Sequence, residues 1–190
     1  IEDTEKLLQR LGDQLELLGT PKIILVICGG SALNVTGLVA RTTKDIDVLG
    51  QIKEGKVVEA DLPDVFWSAV DTLREEFGLQ EKWLNDEPSP MVKGGLPDGL
   101  VDRLLRKNYG TKLEVGFIGR LDQIHFKLWA SADRDPGSYH VQDLQGLNPT
   151  EEEIKRAAQW CLNKDPSKGF RRVLINMLIE MDYDDVAKEL

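Results

Sequence analysis

The sequence predicts a mixed α/β (α+β) protein, a small twisted mixed sheet flanked by helices, with a C-terminal helical extension. Three observations carry this. An apolar, β-branched run from Ile23 to Cys28 has the length of a buried strand and stops at Gly29-Gly30-Ser31. Two later stretches, Asp45 to Leu49 and Thr111 to Ile118, alternate with the period of a strand. From Arg120 the pattern turns to helix after helix, which divides the chain into a core over 1–119 and a helical region over 120–190.

Composition bounds the class. The chain has 190 residues, 41% hydrophobic and 30% charged, the balance of a soluble globular protein with room for a sizeable core. No apolar run approaches bilayer length and no signal-peptide pattern opens the chain, so the expected location is cytoplasmic, away from any membrane. The net charge of -9 argues against broad binding to a nucleic-acid backbone. Locally the sign reverses: Arg103, Arg106, Lys107, Lys112, Arg120 and Lys127 outnumber Asp98, Asp102, Glu114 and Asp122. Cys28 and Cys161 lack metal-ligand spacing and read as buried reduced thiols.

Taken in order, Leu7, Leu8, Leu11, Leu15 and Leu18 repeat with helical spacing over Glu2 to Leu18, closed by Gly19 and Pro21. The strand from Ile23 follows, and Ser31 reads as the N-cap of a short helix after the glycine pair. Gln51 to Asp61 reads as a turn or irregular edge. Val65, Phe66, Ala69, Val70, Leu73 and Phe77 predict a helix over Pro63 to Phe77, with Gly78 as its left-handed closing residue. Pro88, Pro90, Gly94, Gly95 and Pro97 crowd the stretch from Trp83 to Asp98, which reads as an exposed loop. Asp98 to Lys107 reads as a short helix. Beyond Arg120, Thr150 with Glu153 forms a capping box for a helix to Leu162, and a last helix runs from about Lys168 to Met181 with a frayed turn after it. His125 and His140 have no zinc-ligand spacing and read as structural.

The chemistry concentrates between Ile24 and Gly50. Glycines without a Cβ let the backbone turn sharply and approach a ligand, and the unpaired N–H groups of a helix start suit a phosphate. Asp45 and Asp47, two apart in an extended run, share a face opposite Ile46 and Val48. Paired carboxylates repel unless a cation lies between them, and Mg²⁺ or Mn²⁺ with phosphate oxygens fits that need.

Strand, Gly-Gly-Ser turn, short helix and a second strand opening Asp-x-Asp, in that order, resemble the nucleotidyltransferase superfamily that includes DNA polymerase beta, kanamycin nucleotidyltransferase and the minimal nucleotidyltransferases. The block RLDQIHFKLWASADRDPGSYHVQDLQGL further resembles the branch of the AbiEii-type toxins. There a helix carries a lysine, a polar and basic turn follows, and the next helix begins with an Asp-Leu-like pair, which here correspond to Lys127, Asp133-Arg134 and Asp143. The resemblance implies a nucleotidyltransferase fold with Asp45, Asp47 and Glu114 as catalytic and metal-binding carboxylates. It further implies Gly29, Gly30, Ser31, Arg41, Lys44 and Lys127 around a nucleoside triphosphate.

The superfamily usually carries Asp at the third carboxylate position, so Glu114 departs from it. Glu114 either joins the metal site or pairs with Lys112 or solvent on an edge strand, and Lys127 either reaches phosphate, snorkels to water or pairs with Asp143. Arg41 and Lys44 offset phosphate charge or simply solvate their loop. Three functions follow. The first is transfer of a nucleoside monophosphate to a hydroxyl of an RNA end, a protein or a small molecule, in a toxin–antitoxin setting or as a homo-oligomer. The second is modification of an aminoglycoside-type antibiotic, whose cationic character suits an acidic surface. The third is a catalytically degenerate fold kept as a nucleotide-binding or protein-interaction module.

Overall fold

The run from Ile23 to Cys28 becomes the centre of a sheet because its side chains are buried on both faces. Leu25, Val26 and Ile27 are wholly inaccessible. The computed structural model describes residues 3–40, 42–132 and 138–190. The chain forms two compact units, Ile1–Gly119 and Arg120–Leu190.

In chain order the first unit runs α1 (Thr4–Leu17), β1 (Ile23–Cys28), α2 (Gly29–Val35), β2 (Ile46–Lys53), β3 (Lys56–Val58), α3 (Asp64–Phe77), β4 (Leu84–Asn85), β5 (Leu105–Tyr109) and β6 (Leu113–Phe117). The sheet is mixed and has the order β3-β2-β1-β6-β5, with β4 added beside β2. β1 lies antiparallel to β2 and parallel to β6, so it has a neighbour on each edge. In α1, Asp3 caps the first turn by accepting from the Lys6 N–H, and Leu7, Leu8, Leu11 and Leu15 form its buried stripe. α3 buries Phe66, Ala69, Val70 and Leu73 and ends at Gly78 in the left-handed conformation. The mixed sheet, its flanking helices and the helical C-terminal region are those that the sequence predicts.

Several local expectations change. Gln51 to Asp61 is no irregular edge at its start: β2 continues to Lys53, and Glu54-Gly55, both at positive φ, turn it into β3. The stretch from Trp83 to Asp98 is exposed only in part, chiefly toward its end at Lys93 to Gly95 and Asp98. Trp83 is wholly buried and its Nε1 donates to the Val70 carbonyl at 3.2 Å, while Leu84 and Asn85 pair with β2 and a 3-10 turn follows at Ser89–Gly94. Asp98 to Lys107 holds no α-helix: a turn at Asp98-Gly99 leads into a 3-10 turn at Leu100–Arg103, and the chain then enters β5. Pairing with β6 overrides the helical propensity of Leu, Arg and Lys, and Arg106 and Lys107 make β5 a charged edge strand.

The second unit comprises α4 (Arg120–Ser131), α5 (Tyr139–Gly146), α6 (Glu151–Lys164), α7 (Lys168–Glu180) and α8 (Asp184–Glu189). The capping box forms as expected: Thr150 Oγ1 accepts from the Glu153 N–H, and Glu153 accepts from the Thr150 N–H. Arg120 clamps the same carboxylate, and its Nη2 also donates to the Leu147 carbonyl at 2.9 Å. Ile124, Leu128, Leu144, Ile154, Ala158 and Leu174 are wholly buried between these helices. Trp160 stacks edge-on near His125 and Trp129. The final residues are not a frayed turn of α7: Asp182, at φ 63°, breaks that helix and α8 starts anew. No described helix is long and apolar enough to cross a membrane.

Candidate functional site

The end of β1 is where the glycine turn and the aspartates meet. The antiparallel register places Cys28 opposite Asp47, so the residue before Gly29 and the second aspartate are cross-strand partners on one face. Gly29 follows at φ 71°. A Cβ on it would lie 2.4 Å from Asp47 Oδ2, a contact no real side chain makes. Glycine is therefore favoured there twice, by its backbone conformation and because any Cβ would have to displace the Asp47 carboxylate. Ser31 does not cap α2. The helix already begins at Gly29, and Ser31, wholly buried, turns its hydroxyl back to the Cys28 carbonyl at 3.4 Å.

Asp45 lies one residue before β2 and Asp47 within it, both partly buried. The Thr43 hydroxyl donates to the Asp45 carbonyl oxygen at 3.0 Å and approaches its Oδ1 at 3.4 Å. Lys44 keeps an exposed side chain, while its carbonyl accepts from Gln80 Nε2. On the far side of β2, β4 places Asn85 opposite Asp47, and Asn85 Nδ2 donates to Asp47 Oδ1 at 3.2 Å. The Ile46 N–H donates to the Trp83 carbonyl at 2.7 Å, which ties this short strand to the aspartate run.

Glu114 is placed elsewhere. It sits opposite Ile24 on β1, four residues from the Cys28 that faces Asp47, or about 13 Å along the strand at ~3.3 Å per residue. Its carboxylate takes Lys22 Nζ at 2.6 Å and Arg106 Nη1 at 3.1 Å. The Lys22 hydrogen bond, reinforced by Arg106, holds the Glu114 carboxyl below its ordinary range against the opposing effect of burial. The fold thus joins Gly29, Gly30, Ser31, Asp45 and Asp47 at one strand end and leaves Glu114 near the other.

In the second unit Lys127 and Asp143 form a buried ion pair at 2.7 Å between α4 and α5. The side chain of Lys127 is only 4% exposed, so this lysine is committed to the pair and neither snorkels nor stands open to water. Asp143 lies in the second turn of α5, which begins at Tyr139 after Ser138 as N-cap; the Asp-Leu pair does not open the helix. Arg41 and the Asp133-Arg134 turn lie outside the described residues. His125 is structural, with Nδ1 2.7 Å from the Leu121 carbonyl. Both cysteines are buried and in no disulfide, and burial pushes the Cys161 thiol up to about 12.

Two carboxylates stand at the β1 end, beside a glycine whose missing Cβ leaves Asp47 its place. That set fits a hard divalent ion, which commonly takes one or two carboxylates together with substrate phosphates. Among the described residues no three His, Cys, Asp or Glu side chains gather as a metal cluster. Sequence reasoning missed Asn85. A two-residue strand has no periodicity to read, and the only signal was an apolar Trp83-Leu84 pair inside a proline- and glycine-rich stretch.

A family model described as a nucleotidyltransferase of unknown function (DUF6036) matches residues 5–148, most of the chain. No curated protein and no solved structure matches it.

Proposed function

The chain belongs to this nucleotidyltransferase family, and from that premise we propose that it moves a nucleoside monophosphate from a nucleoside triphosphate to an acceptor hydroxyl with Mg²⁺ or Mn²⁺. One observation carries the reading: the Gly-Gly-Ser turn and the Asp-x-Asp run meet through the Cys28–Asp47 register with Asp47 against Gly29. Asp45 and Asp47 would hold the ion. When bound, such an ion offsets phosphate charge and lowers the pKa of the attacking hydroxyl. Gly29 and Gly30 admit phosphate oxygens close to the backbone, and Ser31 braces the turn that shapes their approach. Lys44, exposed beside Asp45, offsets charge at the outer phosphates, as does Arg41 in this reading. The acceptor oxygen bonds to the α-phosphorus as the α–β bridging bond breaks, and pyrophosphate leaves. The hydroxyl proton passes to water. Glu114 has no part in this site, and Lys127 maintains the helical unit through Asp143.

The acceptor in this reading is an RNA end, a protein hydroxyl or a small molecule. The likeness of the Lys127–Asp143 block to AbiEii-type toxins supports a toxin with an antitoxin partner. A second reading, a nucleotide-binding module without transfer activity, is favoured by one feature: Glu114, the carboxylate expected as the third ligand, is bound to Lys22 and Arg106 away from the aspartate pair.

Calorimetric titration of ATP, CTP, GTP and UTP with Mg²⁺ or Mn²⁺ tests the site, beside the Asp45→Asn/Asp47→Asn double variant. Metal-dependent binding in the wild type and its loss in the double variant are expected. Absence of binding for every triphosphate with either metal would sink the reading. Labelled nucleotide then separates transfer from binding alone.

A further inference from the structure

We infer that Asn85 is the positioning residue of the Asp47 carboxylate, and that β4 exists in this fold to supply it. The inference rests on the metal-dependent nucleotide site proposed above and adds to it a residue from a different part of the chain.

Asp47 takes a donor at one oxygen and fills the space of a missing Cβ with the other. Its Oδ2 lies against Gly29, where even one added carbon would stand at 2.4 Å. Its Oδ1 accepts from Asn85 Nδ2 at 3.2 Å. A carboxylate on a strand rotates about χ2 over a broad range unless something selects an orientation. The Asn85 donor at Oδ1 selects one, and the missing Cβ of Gly29 leaves Oδ2 the room to take it.

Asn85 is itself fixed. It is 8% exposed, and its Oδ1 accepts from the Glu87 N–H at 3.1 Å. That second bond assigns the amide orientation, because the oxygen must face Glu87 and the nitrogen must face Asp47. Trp83, wholly buried and bonded through Nε1 to the Val70 carbonyl, anchors the strand two residues earlier. The Ser89 hydroxyl, accepting from the Ala60 N–H at 2.7 Å, anchors it four residues later. A two-residue strand contributes few ladder bonds, so this much anchoring serves the placement of what the strand carries.

The residue type matters as well as the place. An amide donates to a carboxylate without competing for a cation by charge, whereas a carboxylate here would repel Asp47 and a lysine would neutralise it. Asparagine therefore adds no charge of its own beside Asp45 and Asp47 while setting the direction of one of them.

The test measures ATP affinity of the full chain by calorimetry with and without Mn²⁺, for the wild type, Asn85→Leu, Asn85→Ala and Asp47→Asn, with the melting temperature of each ligand-free protein. Loss of a supporting hydrogen bond behind a metal ligand costs about tenfold to a hundredfold in metal affinity. The expected result is that gap in the Mn²⁺-dependent affinity of both Asn85 variants, with whatever ATP affinity the wild type has without metal unchanged. A merely structural role for Asn85 would lower the melting temperature or weaken both affinities alike, and would overturn the inference. If Asn85→Leu does not fold, Asn85→Ala, which adds no bulk, decides. Wild-type affinity in the Asn85 variants with loss in Asp47→Asn would reject Asn85 and keep the site. Failure of the wild type itself to bind ATP with Mn²⁺ would reject the site, and this inference with it.

Discussion

Gly29 and Asp47 occupy one small volume, and that contact makes the first prediction. Gly29→Ala must leave φ 71° or accept left-handed strain of about 1–2 kcal/mol, and its Cβ must also displace the Asp47 carboxylate. A lowered melting temperature together with lost Mn²⁺-dependent ATP binding is expected, where a simple strain effect would lower stability alone. Glu114 gives the opposite case. Its carboxyl is held low by Lys22 and Arg106, so the pair stabilises the fold above the ordinary carboxylate pKa, and that share is lost as pH falls through the lowered value. Lys22 and Arg106 are 48% and 41% exposed, which limits the contribution to under about 1 kcal/mol. Glu114→Gln is expected to flatten the acid side of the stability curve slightly and to leave metal-dependent binding unchanged. Loss of that binding would return Glu114 to the site. The two aspartates and the glycines were legible in the sequence because their spacing within one short stretch is local information. The true distance of Glu114 was not, because an alternating strand shows which face a residue takes but not its register against a neighbour.

Among elements, α4 and α5 are joined by a charge pair rather than by apolar contacts alone. Lys127 and Asp143 are almost wholly buried, and removing either partner strands the other in a low-dielectric interior. Lys127→Met or Asp143→Asn is expected to cost about 3–5 kcal/mol in denaturant unfolding, and Lys127→Met/Asp143→Leu together markedly less than the sum. Additive losses would show that the two side chains do not depend on each other. The long amphipathic helices α1, α3, α6 and α7 were readable because an apolar stripe repeats over several turns and caps punctuate it. β3, β4 and β5 were not. They are short or charged, and hydrogen bonding to β2 or β6 decides them more than their own composition.

At the scale of the whole molecule, ligand binding and stability are one equilibrium. Mn²⁺ with ATP at a hundred times the dissociation constant adds about 2.7 kcal/mol to the folded state, which for a chain of this size raises the melting temperature by roughly 5–10 °C. The wild type should show that rise in a thermal scan and the Asp45→Asn/Asp47→Asn variant should not. A rise of equal size in both would place the triphosphate away from the β1 end.

The sequence by itself determined the class of fold, the family resemblance, and the order of a glycine turn followed by an aspartate run. These rest on periodicity and on residues close in the chain. Tertiary structure alone decided that Asp47 packs on Gly29 and takes a hydrogen bond from Asn85, thirty-eight residues away, and that Glu114 is bound by Lys22, ninety-two residues away. Such contacts depend on strand order and register, which come from the burial of all the elements at once and leave no mark in any single stretch of sequence.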